Sequence, residues 1–281
     1  MNDPDVEEIE IDLLLEALYR RYGYDFRQYA KASVKRRLQH YLAKTKLQTI
    51  SSLIPQLIHD ETSFQSLFFD LSITVTEMFR DPHFYRALRE KVFPYLETFP
   101  FIKIWHAGCA TGEEVYSLAI LLKEESLYER TRIYATDFND SALDKAKARI
   151  YPLDRLKKYS ANYHKAGSKR SLSDYYLAHY QSVIMDTSLT DNIIFANHNL
   201  VTDGVFGEMH LILCRNVLIY FNQELQNRVL SVFRDSLCHN GFLCLGTKET
   251  INFSDVRKDF TAFQPAERIF QCKKGDMRQL S

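Results

Sequence analysis

The spacing of apolar residues changes part-way along the chain and divides it into two parts. Up to about residue 75, apolar positions recur every three or four residues, which is the period of helices with one buried face. Helices are predicted there at about 11–22, 26–44, 50–58 and 62–71. Further along, short apolar runs alternate with helical stretches, a rhythm typical of a parallel sheet covered on both faces. The pattern therefore predicts a small all-helical domain followed by an α/β domain.

Six short apolar runs in the second part are predicted to be strands. They lie at 101–105, 132–136, 193–196, 209–213, 242–246 and 268–272. Residues 151–191 interrupt the rhythm because they are rich in Tyr, Lys and Ser, and we interpret them as an inserted subdomain with a strand at 180–185. The predicted organisation is a helical domain at 1–75, a linker and helix at 76–95, and an α/β domain at 96–281.

The linker between the two parts contains a helix start. Asp81 and Pro82 are the predicted N-cap and first residue of a helix that runs to Leu96. Thr76 and Arg80 lie just before it. On this segment alone, an arginine is explained equally well as a capping or salt-bridge residue.

A turn of small residues joins the first strand of the α/β part to the next helix. Its glycines, Gly108 and Gly112, allow a backbone to approach a ligand where a Cβ would clash. The helix then opens with Glu113 and Glu114, whose carboxylates repel phosphate and suit a cationic ligand such as S-adenosylmethionine (SAM). A tight strand-to-helix turn in any doubly wound sheet explains this stretch equally well.

An aspartate stands at the end of the second predicted strand of the α/β part. An acid at that place, here Asp137, can accept hydrogen bonds from both hydroxyls of a ribose. The alternative role is to cap the following helix, which Asn139 or Asp140 would serve better. The ribose role is therefore favoured.

Charge is balanced over the whole chain but uneven within it. The 281 residues carry 36 basic and 36 acidic side chains, so no global field attracts nucleic acid or a membrane. Residues 26–59 nevertheless contain no acid. A basic face without local partners indicates an acidic partner, and the alternative is a solvated helix paired with acids from the N-terminal segment. The candidate docking residues are Arg27, Lys31, Lys35, Arg36 and Arg37.

Cysteine usage and hydropathy favour a cytoplasmic protein. The five cysteines show no C-x-x-C spacing, which argues against a disulfide framework or a zinc site, and no metal is expected. The acidic N-terminus lacks the basic start and apolar core of a signal peptide. No apolar run approaches the roughly 20 residues of a membrane span.

Four segments together resemble the CheR family of chemotaxis receptor methyltransferases. They are Thr76–Arg80 (TEMFR), Gly108–Ser117 (GCATGEEVYS), Ala135–Asp137 (ATD) and Cys214–Phe221 (CRNVLIYF). The N-terminal Tyr22–Phe26 (YGYDF) and Arg36–Leu38 (RRL) are similar to the helical domain of that family. The resemblance extends from about residue 10 to 272, and the last of the four segments is the most specific.

The resemblance implies a SAM-dependent enzyme that forms γ-glutamyl methyl esters on the cytoplasmic helical bundle of chemoreceptors and releases S-adenosylhomocysteine. The fold it implies is a helical N-terminal domain joined to a Rossmann-like SAM-binding domain with a small β-subdomain. Cofactor-binding residues carried over from the motifs are Thr76, Arg80, Gly108, Glu113, Asp137, Asn199, Leu200, Asn216 and Val217. Of these, Glu113 would hold the methionine amino group and Asp137 the ribose. Arg80 and Tyr220 are the implied catalytic residues, with Tyr220 near the transferred methyl group.

The proposed chemistry suits these residue types. A glutamate carboxylate, with a reference pKa of about 4.3, is ionised at neutral pH, so a general base is not required. Arg80 is expected to orient the acceptor carboxylate, and the basic helix is expected to dock the receptor. Some family members hold a receptor's C-terminal pentapeptide on a glycine-containing loop of the β-subdomain. Here 151–191 contains only Gly167, so pentapeptide tethering is doubtful.

Other functions compete with this interpretation. One is a SAM methyltransferase with another protein or a small molecule as substrate, and another is a regulatory module that senses SAM without turnover. A nucleic-acid methyltransferase is disfavoured, because the chain lacks an N/D-P-P-Y motif.

Overall fold

The computed structural model describes residues 4–72 and 76–273. Contacts divide this part of the chain into two compact units. One unit contains residues 4–72 together with Ile219–Gln226, and the other contains residues 76–218 and 227–273. None of the helices in the described ranges has the length and hydropathy needed to cross a membrane.

Within residues 4–72, the first unit consists of four helices, as the apolar spacing predicts. They are α1 (Pro4–Tyr22), α2 (Lys31–Leu42), α3 (Leu53–His59) and α4 (Glu61–Leu71). Helix α1 begins upstream of the predicted start, so the acidic segment is itself helical. Asp60 caps α4 by accepting hydrogen bonds from the backbone amides of Thr62 and Ser63. The aromatic core includes Tyr22 stacked on Phe64, with ring centroids 3.7 Å apart.

The segment Ile219–Gln226 belongs to this helical unit rather than to the α/β unit. The Ala30 amide donates to the Tyr220 carbonyl at 2.8 Å, and the Asn222 amide donates to the Gln28 carbonyl at 2.9 Å. Contacts thus divide the CRNVLIYF segment between the two units, whereas the sequence analysis assigned it entirely to the α/β domain.

The second unit has six helices and ten strands in its described residues, counting α10, which starts within Ile219–Gln226. The helices are α5 (Pro82–Ala87), α6 (Phe93–Leu96), α7 (Glu113–Glu124), α8 (Asp140–Ala148), α9 (Leu156–Lys165) and α10 (Gln223–Ser236). A π-helical turn, Leu88–Val92, joins α5 to α6. The strands are β1 (Ile102–Ala107), β2 (Thr131–Asp137), β3 (Ile150–Pro152), β4 (Tyr176–His179), β5 (Ser182–Met185), β6 (Ile193–Asn197), β7 (Met209–Cys214), β8 (Leu237–Leu245), β9 (Phe260–Gln264) and β10 (Ile269–Cys272).

Seven of these strands form one sheet, in the order β6-β2-β1-β7-β8-β10-β9. The first five are parallel, but β10 runs antiparallel to both of its neighbours. The sheet is therefore mixed, which corrects the all-parallel expectation, and β9 was not predicted. Strand order reverses between β1 and β7, and such a reversal opens a crevice at the carboxyl ends of the strands.

The inserted segment forms a separate three-stranded antiparallel sheet, in the order β3-β5-β4. Strands β4 and β5 are a hairpin that reverses at Tyr180 and Gln181, and Tyr180 has a left-handed φ of 52°. The single strand predicted at 180–185 is therefore wrong at its start, since its first two residues form the turn. The expectation of a small β-subdomain here is confirmed.

Candidate active site

The turn between β1 and α7 is tied to the neighbouring strand by backbone hydrogen bonds. The amides of Gly108 and Cys109 both donate to the Thr136 carbonyl on β2, at 2.8 and 2.9 Å. Gly108 and Gly112 have φ values of 75° and 89°, and Ala110 between them has a φ of 48°. The turn thus combines three left-handed residues, and only two of them are glycines.

Packing within the protein explains why both glycines lack a side chain. A Cβ on Gly108 would lie 2.6 Å from the Val217 side chain, and one on Gly112 would lie 2.8 Å from the Ala146 side chain. The sequence analysis assigned these glycines to close approach by a ligand. The contacts observed are instead with the segment after β7 and with α8, so the glycines also fix how the motifs fit together.

Glu113 is the first residue of α7 and is buried, with 3% of its surface exposed. Its Oε2 accepts a hydrogen bond from the Thr111 hydroxyl at 2.6 Å. Burial raises its pKa to about 7, while Arg155 exerts a weaker opposing attraction. The ion pairs among the described residues do not include Glu113. A buried carboxylate without a cation is suited to receive one from a ligand.

Glu114 differs from its neighbour. Its carboxylate is paired with Arg215, at 2.8 Å from Nη1, and both side chains are buried. The prediction that two carboxylates face a cationic ligand is therefore corrected, because Glu114 is already neutralised within the protein. Only Glu113 retains an unpaired charge.

Asp137 fixes the turn through both of its oxygens. Oδ2 accepts from the Ala110 amide at 2.9 Å, and Oδ1 accepts from the Asn139 amide at 3.0 Å. Burial raises the pKa of this carboxyl. Each carboxylate oxygen has a second lone pair, so Asp137 can still accept hydrogen bonds from a ribose. That contact stays a prediction. Asn139 caps α8, as expected, by accepting from the Ala142 amide.

Asn199 and Leu200 lie two and three residues after β6. Strand β6 ends opposite Asp137, because Asn197 pairs with it in the parallel register. The Asn199 side chain accepts a hydrogen bond from the Val201 amide at 2.9 Å, and Leu200 is buried. The loop thus follows the strand next to β2, and its contact with a cofactor stays a prediction.

Asn216 and Val217 follow β7 and lie beside β8 and the glycine turn. The backbone amides of Asn216 and Gly246 both donate to the buried Glu249 carboxylate, at 3.0 and 2.5 Å. Glu249 therefore joins the ends of β7 and β8, a role the sequence analysis missed. An isolated acid in a loop carries no sequence signal for it.

The linker is anchored to α7 by its backbone. The Phe79 amide donates to the Ser117 hydroxyl at 2.9 Å, and that hydroxyl donates to the Glu113 carbonyl at 2.7 Å. Thr76 and Arg80 are half-buried. Within the described residues, the Arg80 guanidinium forms no hydrogen bond or ion pair. Its charge is therefore available to a ligand.

Left-handed backbone at non-glycine residues recurs in the motif segments. Nine such residues occur in the described chain; Phe79, Ala110 and Asn216 lie in motif segments, and Asp81 directly follows one. Strain of this kind costs energy and persists where the surrounding structure fixes the backbone, most often at functional sites.

Tyr220 lies in the helical unit. The Arg37 guanidinium carbon is 5.2 Å from the centroid of its ring, and Arg37 Nη1 donates to the carbonyls of Asp70 and Leu71. Burial lowers the pKa of Arg37. Tyr220 is therefore grouped with the predicted docking residues rather than with Arg80 and the predicted cofactor-binding residues, and its catalytic role stays a prediction.

Three of the candidate docking residues, Lys31 and Lys35 of α2 and Arg27 just before it, have acidic partners within the helical unit, which corrects the premise that they lack them. Arg27 pairs with Glu16 at 2.9 Å and with Asp25 at 2.8 Å. Lys31 lies 3.4 Å from Asp12 and 3.6 Å from Glu8, and Lys35 lies 2.7 Å from Glu7. Arg36 differs, because it is exposed and forms no ion pair with the described residues.

A Rossmann-like sheet with its first strand ending in a glycine turn, and an unpaired buried carboxylate starting the next helix, is the arrangement expected of a SAM-dependent methyltransferase. Family models agree: the model described as "CheR methyltransferase, SAM binding domain" matches residues 74–267, and the one described as "CheR methyltransferase, all-alpha domain" matches residues 9–72. The chain belongs to the CheR methyltransferase family.

Individual proteins show the same relationship. Cher3 of Pseudomonas putida is 52% identical over 94% of this chain and 97% of its own length. The chemotaxis protein methyltransferase of Escherichia coli is 27% identical over 88% of this chain and 85% of its own length. The solved structure of PKMT2 from Rickettsia typhi in complex with AdoHcy has a TM-score of 0.33 at 17% identity, over 52% of this chain and 21% of that chain. That likeness is too distant to inform function.

The residues present fit SAM as the cofactor. The methionine end of SAM carries an ammonium group, and Glu113 supplies a buried carboxylate without an ion partner. Residues 4–72 and 76–273 contain no group of three or more His, Cys, Asp or Glu side chains that could hold a metal ion.

Proposed function

We propose that this protein methylates glutamate side chains on the cytoplasmic helical bundle of chemoreceptors, forming glutamyl methyl esters and S-adenosylhomocysteine. One observation carries the proposal: Glu113 and Arg80 bear opposite charges that have no ion partner among the described residues. A carboxylate suits the cationic methyl donor, and a guanidinium suits an anionic acceptor. Membership of the CheR family supports a receptor as the acceptor.

When bound, SAM supplies a methyl group on a positively charged sulfur, which an oxygen nucleophile can attack. The chain's part is to hold the donor, orient the acceptor and exclude water. Glu113 would bind the amino group, and Asp137 would add a ribose contact to its two backbone contacts. The remaining cofactor contacts are assigned to Thr76, Arg80, Gly108, Asn199, Leu200, Asn216 and Val217.

Arg80 would orient the acceptor. A guanidinium offers paired N–H donors that match both oxygens of a carboxylate, so it fixes the direction of the attacking oxygen. The acceptor glutamate is ionised at neutral pH and needs no base. The rate enhancement therefore comes from alignment and from removal of water, and Tyr220 is proposed to act near the methyl group.

Receptor docking by α2 is proposed to depend mainly on Arg36 rather than on all five candidate docking residues. Arg36 has no acidic partner to lose, whereas Arg27, Lys31 and Lys35 would exchange the acids of α1 for receptor acids. For Lys31, whose pairs are exposed on both sides, such an exchange replaces one exposed ion pair by another and contributes little. Lys35 is less able to exchange, because its partner Glu7 is buried. Arg37, whose donors are used inside the helical unit, is assigned to packing.

We also propose that docking is independent of a receptor pentapeptide. The hairpin of the β-subdomain turns at Tyr180 and Gln181, without a glycine. Receptor fragments with and without their C-terminal five residues should then be methylated at similar rates. A large loss on removing those residues would contradict this part of the proposal.

Incubation with radiolabelled SAM and purified receptor cytoplasmic fragments tests the function. Label on the receptor that is released by mild base as methanol is the expected result, because esters hydrolyse there. Base-stable label would indicate N-methylation, and binding of SAM without any label would indicate a sensor. Either outcome would contradict the proposal.

A further inference from the structure

The arginine of the CRNVLIYF segment, Arg215, lies at the centre of a buried cluster of charges that the proposed chemistry leaves unused. Its side chain is 1% exposed. One nitrogen, Nη1, lies 2.8 Å from Glu114 Oε1 on α7, and the other, Nη2, lies 2.7 Å from Asp81 Oδ2 at the end of the linker. The guanidinium also lies over the Phe84 ring of α5, 4.0 Å from its centroid. Arg215 thus connects the end of β7 to α7 and to the linker.

The linker segment at Arg80 is held on both sides. Arg215 Nη1 donates to the Arg80 carbonyl at 3.4 Å, and the Phe79 amide is bound by Ser117. The residues that flank Arg80, Phe79 and Asp81, both have left-handed backbones, with φ values of 52° and 57°. Aspartate tolerates this conformation, but a bulky residue such as Phe79 keeps it only where external contacts impose it.

Stability alone does not account for this arrangement. A buried ion pair contributes little net stability, because desolvation offsets the attraction, and well-packed apolar residues often serve as well. A guanidinium that contacts two carboxylates and a carbonyl does fix the positions of those groups relative to one another, because its donors form a rigid planar fork. The cluster is therefore better explained by the backbone that it fixes.

We infer that Arg215 is a positioning residue, whose bridge between Glu114 and Asp81 holds the linker in the conformation that presents the free Arg80 side chain to the acceptor. The inference rests on the proposed role of Arg80 as the residue that orients a carboxylate. It assigns a function to Arg215, Glu114 and Asp81, none of which has to contact the cofactor or the acceptor.

The substitution Asp81→Asn tests this with less risk to folding than a change at Glu114, because the Asp81 side chain is 32% exposed and that of Glu114 is buried. Asparagine keeps the shape of aspartate and tolerates left-handed backbone, so only the charge is removed. Asp81 makes no side-chain capping hydrogen bond to α5, so the helix loses no cap. The buried pair of Arg215 with Glu114 is left in place. Arg215→Lys is the second variant, since it keeps the charge but loses the fork.

We expect Asp81→Asn to lower kcat about tenfold and to leave the Kd for S-adenosylhomocysteine within twofold. The decisive readout is a double-mutant cycle with Arg80→Ala, because residues that act through one another are not additive. In the Arg80→Ala background, Asp81→Asn should reduce activity less than twofold further. An equal tenfold loss in both backgrounds would overturn the inference, since it would mean that the cluster acts independently of Arg80.

Hydrogen exchange provides a readout that needs no acceptor. Amides in a peptide covering residues 76–84 should exchange faster in Asp81→Asn and in Arg215→Lys than in the wild type. Unchanged exchange in both variants would also overturn the inference. A matched control is Asp259→Asn, which alters another arginine–aspartate pair in the same unit, Arg234 with Asp259 at 3.2 Å. It should change neither turnover nor linker exchange.

These outcomes are separable from failure of the proposed function. If the wild type places no ester on receptors, the proposed function fails, while the exchange experiment still reports whether the bridge holds the linker. If receptors are methylated but the double-mutant cycle is additive, the function stands and the positioning role fails.

Discussion

The start of α7 and the basic face of α2 both carry conspicuous charges in the sequence, but their charges have different surroundings. At α7, Glu113 is buried, without an ion partner, and its pKa is raised to about 7. On α2, Lys35 pairs with Glu7, and Lys31 lies near Asp12. An unpaired buried charge is costly to the fold, which supports the proposal that Glu113 binds a ligand, whereas the ion pairs of Lys31 and Lys35 are explained by the structure of the helical unit alone.

The difference shows what a charge pattern in a sequence can indicate. An acid-free stretch of 34 residues, 26–59, led to the prediction of an external acidic partner, but α1 supplies those acids from the same chain. At α7 two adjacent glutamates looked equivalent, and one of them is paired with Arg215. Only the three-dimensional structure shows that Glu114 has an ion partner and that Glu113 has none among the described residues.

The largest effect is expected from Arg80→Ala. Loss of the group that orients the acceptor should lower kcat about 100-fold or more, because misalignment is costly for transfer between two bound reactants. The Kd for SAM, measured by calorimetry, should change much less. Arg132→Ala, which removes an arginine of β2 from the same unit, is the control. Equal losses in binding and turnover would contradict an orienting role.

Glu113→Gln and Glu114→Gln should separate two adjacent carboxylates. At pH 8, Glu113→Gln should weaken binding of S-adenosylhomocysteine about 10- to 100-fold, since it removes the charged partner of the ligand's amino group. Glu114→Gln should instead lower the free energy of unfolding by about 3 kcal/mol or more, because it leaves Arg215 buried with one fewer carboxylate. The same phenotype for both variants would contradict the distinction.

Glu113→Gln should also stabilise the ligand-free protein. The folded-state pKa of Glu113 is raised above the reference value of 4.5, so the folded protein binds more protons than the unfolded chain between about pH 4.5 and 7. Stability therefore decreases as the pH rises through that window. At pH 8 the variant should unfold at a higher denaturant concentration, with a gain of roughly 1–3 kcal/mol. A less stable variant would indicate that the carboxylate is needed for folding.

Gly108→Ala should destabilise the glycine turn. Alanine would adopt a φ of 75° and would place its Cβ 2.6 Å from Val217, so we expect a loss of roughly 1–3 kcal/mol in the free energy of unfolding. Gly204→Ala is the matched control, because a Cβ there would meet no atom within 4 Å. Equal effects of the two substitutions in denaturant titrations would contradict the packing role of Gly108.

Arg36→Glu should have the smallest effect. Reversing the unpaired charge on α2 should raise the KM for the receptor about two- to threefold at low salt, and the difference should shrink as ionic strength rises. Lys44→Glu is the control, because Lys44 is paired with Asp70 and is not one of the candidate docking residues. A salt-independent change in KM would argue against electrostatic docking by Arg36.

Local signals in the sequence predicted much of this architecture. Helical spacing identified the helices of the first unit, and the glycine turn with the acids behind it indicated the candidate site. The antiparallel pairing of β9 with β10 was missed because strand direction depends on tertiary connections that a short run such as Phe260–Gln264 does not encode. Likewise, the hairpin turn at Tyr180 contains no glycine and therefore resembled a strand.

The site residues that the sequence did not reveal act through long-range pairs. Arg215 meets Glu114 across about a hundred residues, and Glu249 holds the Asn216 amide from a distant loop. Arg215 belongs to the CRNVLIYF segment, but that segment does not indicate its partners, and Glu249 lies in a loop without a motif. The partners meet only when the sheet brings β7 beside β1 and β8. Tyr220 is the opposite case, since a specific motif predicted its role while contacts group it with the helical unit.

The pH dependence of S-adenosylhomocysteine binding tests the central claim most directly, because this product retains the ammonium group without the sulfonium. In the wild type, the Kd should rise as the pH falls below 7 and the Glu113 carboxylate becomes protonated, by up to about tenfold per pH unit, and it should level off at the Kd of Glu113→Gln. In Glu113→Gln, the Kd should be weaker and nearly constant over the same range. A flat profile in the wild type, or the same slope in both proteins, would contradict the claim that Glu113 is the charge kept for the cofactor.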